Sequence, residues 1–193
     1  MNELSLYILD LARNSAAAGA KHICVSVRIS PEDDEIWIAI QDDGCGMDEA
    51  LLRRVADPFT TTRTERRVGL GIPLAKQLCE VCMGAFDMES QVGVGTKLTM
   101  RLKRSHIDCP PMGSLAETML VLMTGSPEEI EYDFRYAFGH EKFSLNTQSV
   151  RGILGREVPL TDPDVFSWLR EYLKEGIGEA EQRQNPTDNI AEV

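Results

Sequence analysis

Four short segments hold residue types that could work on a flat, charged ligand. The first is Asp10-Leu11-Ala12-Arg13-Asn14-Ser15. Asp10 and Asn14 stand four apart, so a helix places both on one face. A carboxylate and an amide oxygen side by side can hold a water and a hard cation such as Mg²⁺, which takes oxygen ligands and keeps several waters. Taken alone, the two residues are also an ordinary solvated face. The second segment is Asp42-Asp43-Gly44-Cys45-Gly46-Met47, directly after an apolar run. An aspartate at a strand end can accept from an exocyclic amine, and the glycines let backbone pass close to a flat ring or bend sharply. A plain strand-to-helix turn has the same composition. The third is Gly69-Leu70-Gly71-Ile72, which opens a helical pattern. Free backbone N–H groups and the positive end of a helix dipole suit phosphate. The preceding stretch supplies Thr60, Thr61, Thr62, Arg63, Arg66 and Arg67, all competent phosphate contacts. The fourth is Gly93-Val94-Gly95-Thr96, which by itself is a hairpin turn leading into a strand.

The elements between these segments must position them. Residues 3–19 read as a helix, with Leu4, Tyr7, Leu11 and Ala12 near helical spacing. Residues 22–29 alternate as a strand with one buried face, and Glu35 to Gln41 is a second strand, apolar on both sides, paired with it as a hairpin. Residues 48–56 read as a short helix with Asp48 as N-cap. Asp57 to Gly71 is aperiodic and reads as a mobile loop, and 72–82 as a helix with Pro73 in its first turn. A second hairpin spans 85–89 and 95–103. Pro110, Pro111 and Gly113 mark the best boundary, within 105–114. Beyond it, Thr118 to Met123 reads as an apolar strand, and Ile130–Phe138 with Lys142–Leu145 as a hairpin. Ser149–Leu154 and Asp164–Lys174 read as helices, the latter with Val165, Phe166, Trp168, Leu169 and Tyr172 on its apolar side. Residues 180–193 read as a frayed polar end.

Composition bounds the function class. The chain has 193 residues, 20 Lys and Arg against 31 Asp and Glu, and a net charge of −11. Residues 1–110 carry −3 of this and residues 111–193 carry −8. Such a chain is a poor general ligand for nucleic acid, whose affinity comes from neutralised phosphates. Arg53, Arg54, Arg63, Arg66 and Arg67 are the local exception, a patch suited to a small anion. No run reaches the ~20 apolar residues of a membrane span. The first residues show no secretion signal, and the five cysteines at irregular spacing read as reduced, cytosolic thiols. Cys79 and Cys82 read as small apolar residues packing a helix.

In this order the four segments resemble the ATP-binding domain shared by DNA gyrase, ninety-kilodalton heat-shock chaperones, histidine kinases and MutL-type repair proteins. This is the GHKL superfamily, the Bergerat fold. The N box matches residues 10–20, the glycine boxes 42–46, 69–71 and 93–96, and Asp57-Pro58-Phe59 resembles the kinase phenylalanine box. The resemblance covers roughly residues 1–104. It implies an α+β architecture: a Bergerat α/β sandwich, a mixed, mostly antiparallel sheet covered by helices. That domain would occupy 1–106, followed by a small α/β module at 107–178 and a polar, disordered tail at 179–193. It further implies Mg²⁺-dependent ATP binding. Asn14 would ligate Mg²⁺, and Asp42 would take the adenine amine, with Gly44, Gly46, Met47 and Thr96 around the ring. Phe59, Thr61, Thr62, Arg63, Gly69, Leu70 and Gly71 would close on the phosphates. Asp10 sits where hydrolytic members carry a water-activating glutamate one methylene longer.

Slow ATP hydrolysis in regulation or signalling is the expected activity. Protein phosphorylation of histidine or serine on a separate partner, or an ATP-gated switch without turnover, are the alternatives. With the resemblance starting at residue 1, the helical hairpin that carries a kinase's acceptor histidine is not expected here, and His106 only loosely echoes an acceptor box. A protein partner at 114–178 and a homodimer are the expected assemblies, with Lys142, Arg151 and Arg156 as candidate cations for the γ-phosphate.

Overall fold

Alternation of apolar and polar residues makes strand formation the favourable way to bury one face of 22–30, and the apolar run within 35–42 suits an inner strand beside it. In a computed structural model, which describes residues 2–55, 70–127, 129–155 and 157–184, these are β1 (His22–Ser30) and β2 (Glu35–Asp42). They pair antiparallel, with Val25 opposite Ile40 and Ile29 opposite Ile36. β3 (Ala85–Gln91) and β4 (Gly95–Lys103) form the next hairpin, and β4 joins β2 antiparallel with Thr96 opposite Asp42. β5 (Glu131–Phe138) lies parallel to β1 on its other side, and β6 (Glu141–Asn146) closes that edge as a hairpin with β5. The sheet order is β3-β4-β2-β1-β5-β6. This mixed, mostly antiparallel sheet under helices is the α+β sandwich expected from the sequence.

One face of the sheet carries Ile23, Val25, Ile38, Ile40, Met100, Tyr132, Phe134 and their neighbours, all buried. α1 (Leu4–Ala17) packs there on β1 and β2, and α3 (Gly71–Val81) on β3 and β4. α2 (Glu49–Val55) is short, and Asp48 caps it by accepting from the Leu51 N–H at 2.7 Å. On the other face Ser26, Arg28, Trp37, Arg135 and Lys142 line a trough of about 620 Å³.

Three expectations for the second half are corrected. Residues 118–123 are not a strand but the middle of helix α4 (Leu115–Gly125), which packs against α1 and against α6 (Pro163–Gln184). The run Met119, Leu120, Leu122 and Met123 is buried because α4 is enclosed between neighbours, so its apolar residues show no helical stripe. α6 does not fray at 180 but runs to Gln184, anchored by Ala180 and by the Tyr136 hydroxyl donating to Glu181 at 2.7 Å. Its buried side is Val165, Leu169 and Leu173, while Phe166, Trp168 and Tyr172 are exposed. Trp168 stacks on Tyr172, which in turn meets Phe143. α5 (Thr147–Leu154) is capped by Asn146, whose side chain accepts from the Ser149 N–H.

Residues 130–184 thus extend the sheet and helix layer built by residues 4–103, and their apolar side chains share one core. Leu169→Ala deletes a fully buried side chain of α6 and is expected to cost about 2–5 kcal/mol. Urea denaturation should show the loss equally through Trp37 in β2 and through Trp168 in α6, each read in the variant lacking the other tryptophan. Midpoints that separate would show two folding units instead of one.

Candidate functional site

A cavity of about 440 Å³ opens on the helix-covered face between α1, the end of β2, the following loop and the start of β4. Its walls are mostly apolar: Leu11, Ile40, Met47, Ile72, Met88 and Leu98. Polar groups enter at few points, chiefly Asn14, Ser15, Asp42 and Thr96. An apolar slot with a small set of convergent polar groups is the usual form of a small-molecule site.

Asp42 is the best-connected of these. Its Oδ1 accepts from the backbone N–H of Gly44 at 2.9 Å and of Thr96 at 3.2 Å, and its Oδ2 accepts from the Ser15 hydroxyl at 2.6 Å. With two donors on Oδ1 and one on Oδ2, the acceptor capacity left over is on Oδ2. A second relay runs beside it: the Met47 N–H donates to Ser90 Oγ at 2.8 Å, and Ser90 Oγ lies 2.9 Å from Thr96 Oγ1. The loop between β2 and α2 is held at both sides of Cys45, whose N–H donates to Ala18 O and whose carbonyl accepts from Gly93 N–H.

Two glycines are required by this packing. Gly46 has φ +64°, and a Cβ there would lie 1.9 Å from the Gln91 carbonyl oxygen. Gly95 has φ +131°, and a Cβ would lie 1.9 Å from the Asp42 carbonyl oxygen. Only a residue without Cβ fits either place.

Asp43 faces away from the cavity. It accepts from the Lys21 and His22 N–H groups and from the His22 ring. Burial works to raise its carboxyl, but these hydrogen bonds and the His22 charge together hold it below the usual carboxylate range. It therefore fastens the start of β1 to the loop that carries Asp42.

At the cavity's far end α1 meets the N-terminus of α3. A Cβ on Gly71 would come within 1.9 Å of Asp10 Oδ2 and 3.7 Å of Asn14 Nδ2, so those three residues are neighbours. Asn14 Nδ2 is buried and has no hydrogen-bond partner among the described residues. An orphaned buried amide facing a cavity lacks the partner that such groups normally have. Among the described residues no cluster of three His, Cys, Asp or Glu could hold a metal ion. An amide and a carboxylate still suit Mg²⁺, which draws most of its shell from water and phosphate.

The structure therefore brings Asn14, Asp42, Gly46, Met47 and Thr96 together as cavity lining, with Gly44 behind Asp42 and Asp10 and Gly71 at one end. Leu70 is exposed. Phe59, Thr61, Thr62, Arg63 and Gly69 lie outside the described residues, as do Arg156 and most of the expected loop. Lys142 is on the opposite face of the sheet, and Arg151 Nε sits 3.5 Å from Glu131 Oε1, so neither reaches the cavity. Sequence reasoning missed Ser15 and Ser90. Period-two alternation from Phe86 and Met88 marks Ser90 for the cavity side, but nothing in the sequence marks Ser15 as Asp42's partner.

Comparison with known proteins identifies the family of the first half of the chain. Residues 2–106 match the family model described as histidine kinase-, DNA gyrase B-, and HSP90-like ATPase. The chain belongs to this family, the GHKL superfamily, and the matched region is its ATP-binding domain. It is 38% identical over 101 residues to a sensor protein of Shewanella frigidimarina, covering 52% of this chain and 15% of that one. It is 34% identical over 88 residues to the tetrathionate sensor histidine kinase TtrS of Salmonella typhimurium, covering 46% and 14%. It is 31% identical over 97 residues to sporulation kinase E of Bacillus subtilis, covering 49% and 13%. The chain thus spans about a seventh of the length of these curated relatives. Among the described residues no helix is long and apolar enough to cross a membrane.

Removing the Ser15 hydroxyl leaves Asp42 Oδ2 without its donor inside a half-buried site. Ser15→Ala is expected to cost about 1–3 kcal/mol of stability in urea denaturation. The loss should shrink to a few tenths in an Asp42→Asn background, where no charge needs the hydroxyl. Equal losses in both backgrounds would show that the hydrogen bond carries none of the effect.

Proposed function

We propose that the chain binds ATP with Mg²⁺ in this cavity and hydrolyses it slowly, as a regulatory or signalling domain. The observation that supports this most is the conjunction of the Asp42 carboxylate, presented by three hydrogen bonds, with the unpartnered Asn14 amide at the other end of one apolar slot.

In this reading Asp42 Oδ2 accepts from the exocyclic amine of adenine. Gly44, Gly46, Met47 and Thr96 border the ring, and Ile40, Met88 and Leu98 exclude water from it. Asn14 lies at the phosphate end and would hold Mg²⁺, which when bound would supply positive charge against the phosphates. Gly71, Leu70 and the residues Phe59, Thr61, Thr62, Arg63 and Gly69 close on the phosphates. Asp10 orients water, and its short side chain keeps turnover low, because a general base must come within ~3 Å of that water or act through another.

A second reading is transfer of the γ-phosphoryl group to a histidine or serine of a separate protein. The kinase names of the relatives favour it. A binding switch without turnover is the third outcome of the same experiment.

Protein is incubated with Mg²⁺ and γ-labelled ATP, and free phosphate and protein-bound label are followed beside Asn14→Ala, Asp42→Asn and Asp10→Asn. Asp42→Asn and Asn14→Ala should each weaken ATP binding by roughly tenfold or more, since each removes a charged or metal-directed contact worth ~1.5–3 kcal/mol. Asp10→Asn should abolish phosphate release while binding persists. Undiminished binding in both Asn14→Ala and Asp42→Asn would refute the assigned site. Label on an added protein would establish the kinase reading, and binding without release the switch.

A further inference from the structure

β6 ends the sheet, and among the described residues no strand pairs with its outer side. Its hairpin with β5 turns through Gly139 and His140, with Phe138 opposite Glu141 and Gly139 at φ +57°. A two-residue turn with a left-handed first residue makes its flanking pair a hydrogen-bonded one, and such pairs alternate from there. Glu141, Phe143 and Leu145 therefore direct their backbone groups to β5. Lys142, Ser144 and Asn146 aim their N–H groups outward, as Lys142 and Ser144 do their carbonyls.

α6 roofs this edge with aromatic side chains. It runs over β6, where the Tyr172 ring lies 5.4 Å from that of Phe143 and Arg183 reaches Glu141 at 3.8 Å. One flank of the helix turns to α4: Arg170 and Lys174 both meet Glu117, at 2.8 and 3.3 Å. Trp168, Tyr172, Glu175 and Glu179 follow one another at helical spacing on the opposite flank, so they overhang the free side of β6. Trp168 and Tyr172 stack with centroids 5.2 Å apart and are 47% and 41% exposed. Phe134, Phe143, Tyr172 and Trp168 thus form an aromatic row that leads from the core into solvent beside an unpaired strand. Large rings left half in water gain most from a partner that covers them.

We propose that β6 takes up an extended segment of another protein as a further strand, matched to its six residues and carrying arginine, lysine or apolar side chains toward α6. The ladder supplies affinity, and the side chains on each face supply specificity. Charge on the flank of α6 sets the sign. Glu141, Glu175 and Glu179 stand there against Arg183, which bridges Glu141 and Glu179, so three carboxylates meet one guanidinium and two negative charges remain. A cation on the incoming strand meets those carboxylates and the face of Trp168 or Tyr172. Its alternate residues fall on the other face of the sheet, where Lys142 lines the trough, and favour a hydroxyl or a carboxylate. A second copy of this chain fits poorly, because its β6 flank would set the same negative excess against this one, and residues 111–193 carry −8. β1 and β5 lie between β6 and the cavity strand β2, so the docking edge stands apart from the ATP reading.

The test selects phage-displayed random octapeptides against the full chain, then titrates the most enriched peptide by calorimetry. Enriched peptides should alternate, with basic or apolar residues at every second position. Replacing the basic residues of the titrated peptide by glutamate should weaken it at least about tenfold, as should Trp168→Ala in the protein. Ser144→Pro, which deletes one outward N–H, should do the same, while Ser144→Ala leaves binding unchanged because the backbone makes the contact. Amide exchange of the unaltered chain reads the ladder directly and holds even if the proline variant unfolds: Lys142 and Ser144 N–H should slow at least about tenfold on binding, and Phe143 N–H should be protected with and without peptide. No enrichment, enriched peptides without alternation, undiminished binding to Trp168→Ala, or unchanged exchange at Lys142 and Ser144 overturns the proposal. So does sedimentation of a dimer whose Lys142 and Ser144 amides are protected without peptide, which would make a second copy the occupant.

Discussion

The hydrogen-bonded carboxylate of Asp42 is the constraint around which the rest of the cavity is organised. It ends β2, takes the Ser15 hydroxyl from α1, the Gly44 N–H from its own loop and the Thr96 N–H from β4. Three segments distant in sequence are thus fixed at one side chain. A half-buried carboxylate needs donors to offset lost hydration, and each donor here also sets the position of a cavity wall. The two tight glycines follow from the same point, because Gly95 passes against the Asp42 carbonyl and Gly46 against the turn that leads to Gly95.

Much of this was legible beforehand where physics is local. Alternation placed β1, β3 and β4, and an apolar run placed β2, to within two residues, and the Asp10–Asn14 spacing put both side chains on one face of α1. The reading failed where packing overrides local pattern. Met119 to Met123 looked like a strand because a helix walled in by α1, α6 and the sheet shows no polar stripe. Trp168 and Tyr172 looked like core because they are large and aromatic, yet they stack on one another at the surface while Leu169 and Leu173 turn inward. Ser15 could not be found at all, since it matters through one contact made across the fold.

Polar and apolar groups divide the labour in a consistent way. The sheet face under the helices supplies stability through continuous aliphatic burial, from Ile23 to Met100. The polar groups of the cavity sit where that burial ends, at the last residue of β2, the start of β4 and the helix N-terminus at Gly71. Placing ligand groups at the ends of strands and helices lets free backbone N–H groups serve them without disturbing the ladder.

The parallel pairing of β1 with β5 carries a different kind of consequence, one that belongs to synthesis on the ribosome. It joins residues 109 apart, His22 with Glu131, whereas the other strand pairs are hairpins or the β2–β4 match, whose ends Asp42 and Thr96 are 54 apart. While the first hundred residues have emerged and the rest have not, β1 presents an unpaired edge of Ile23, Val25, Val27 and Ile29. Long-range parallel pairing forms slowly, and open edges of this kind recruit foreign strands. The polar and charged residues that alternate along β1, His22, Ser26 and Arg28 among them, are then its protection against neighbours during the interval before β5 arrives.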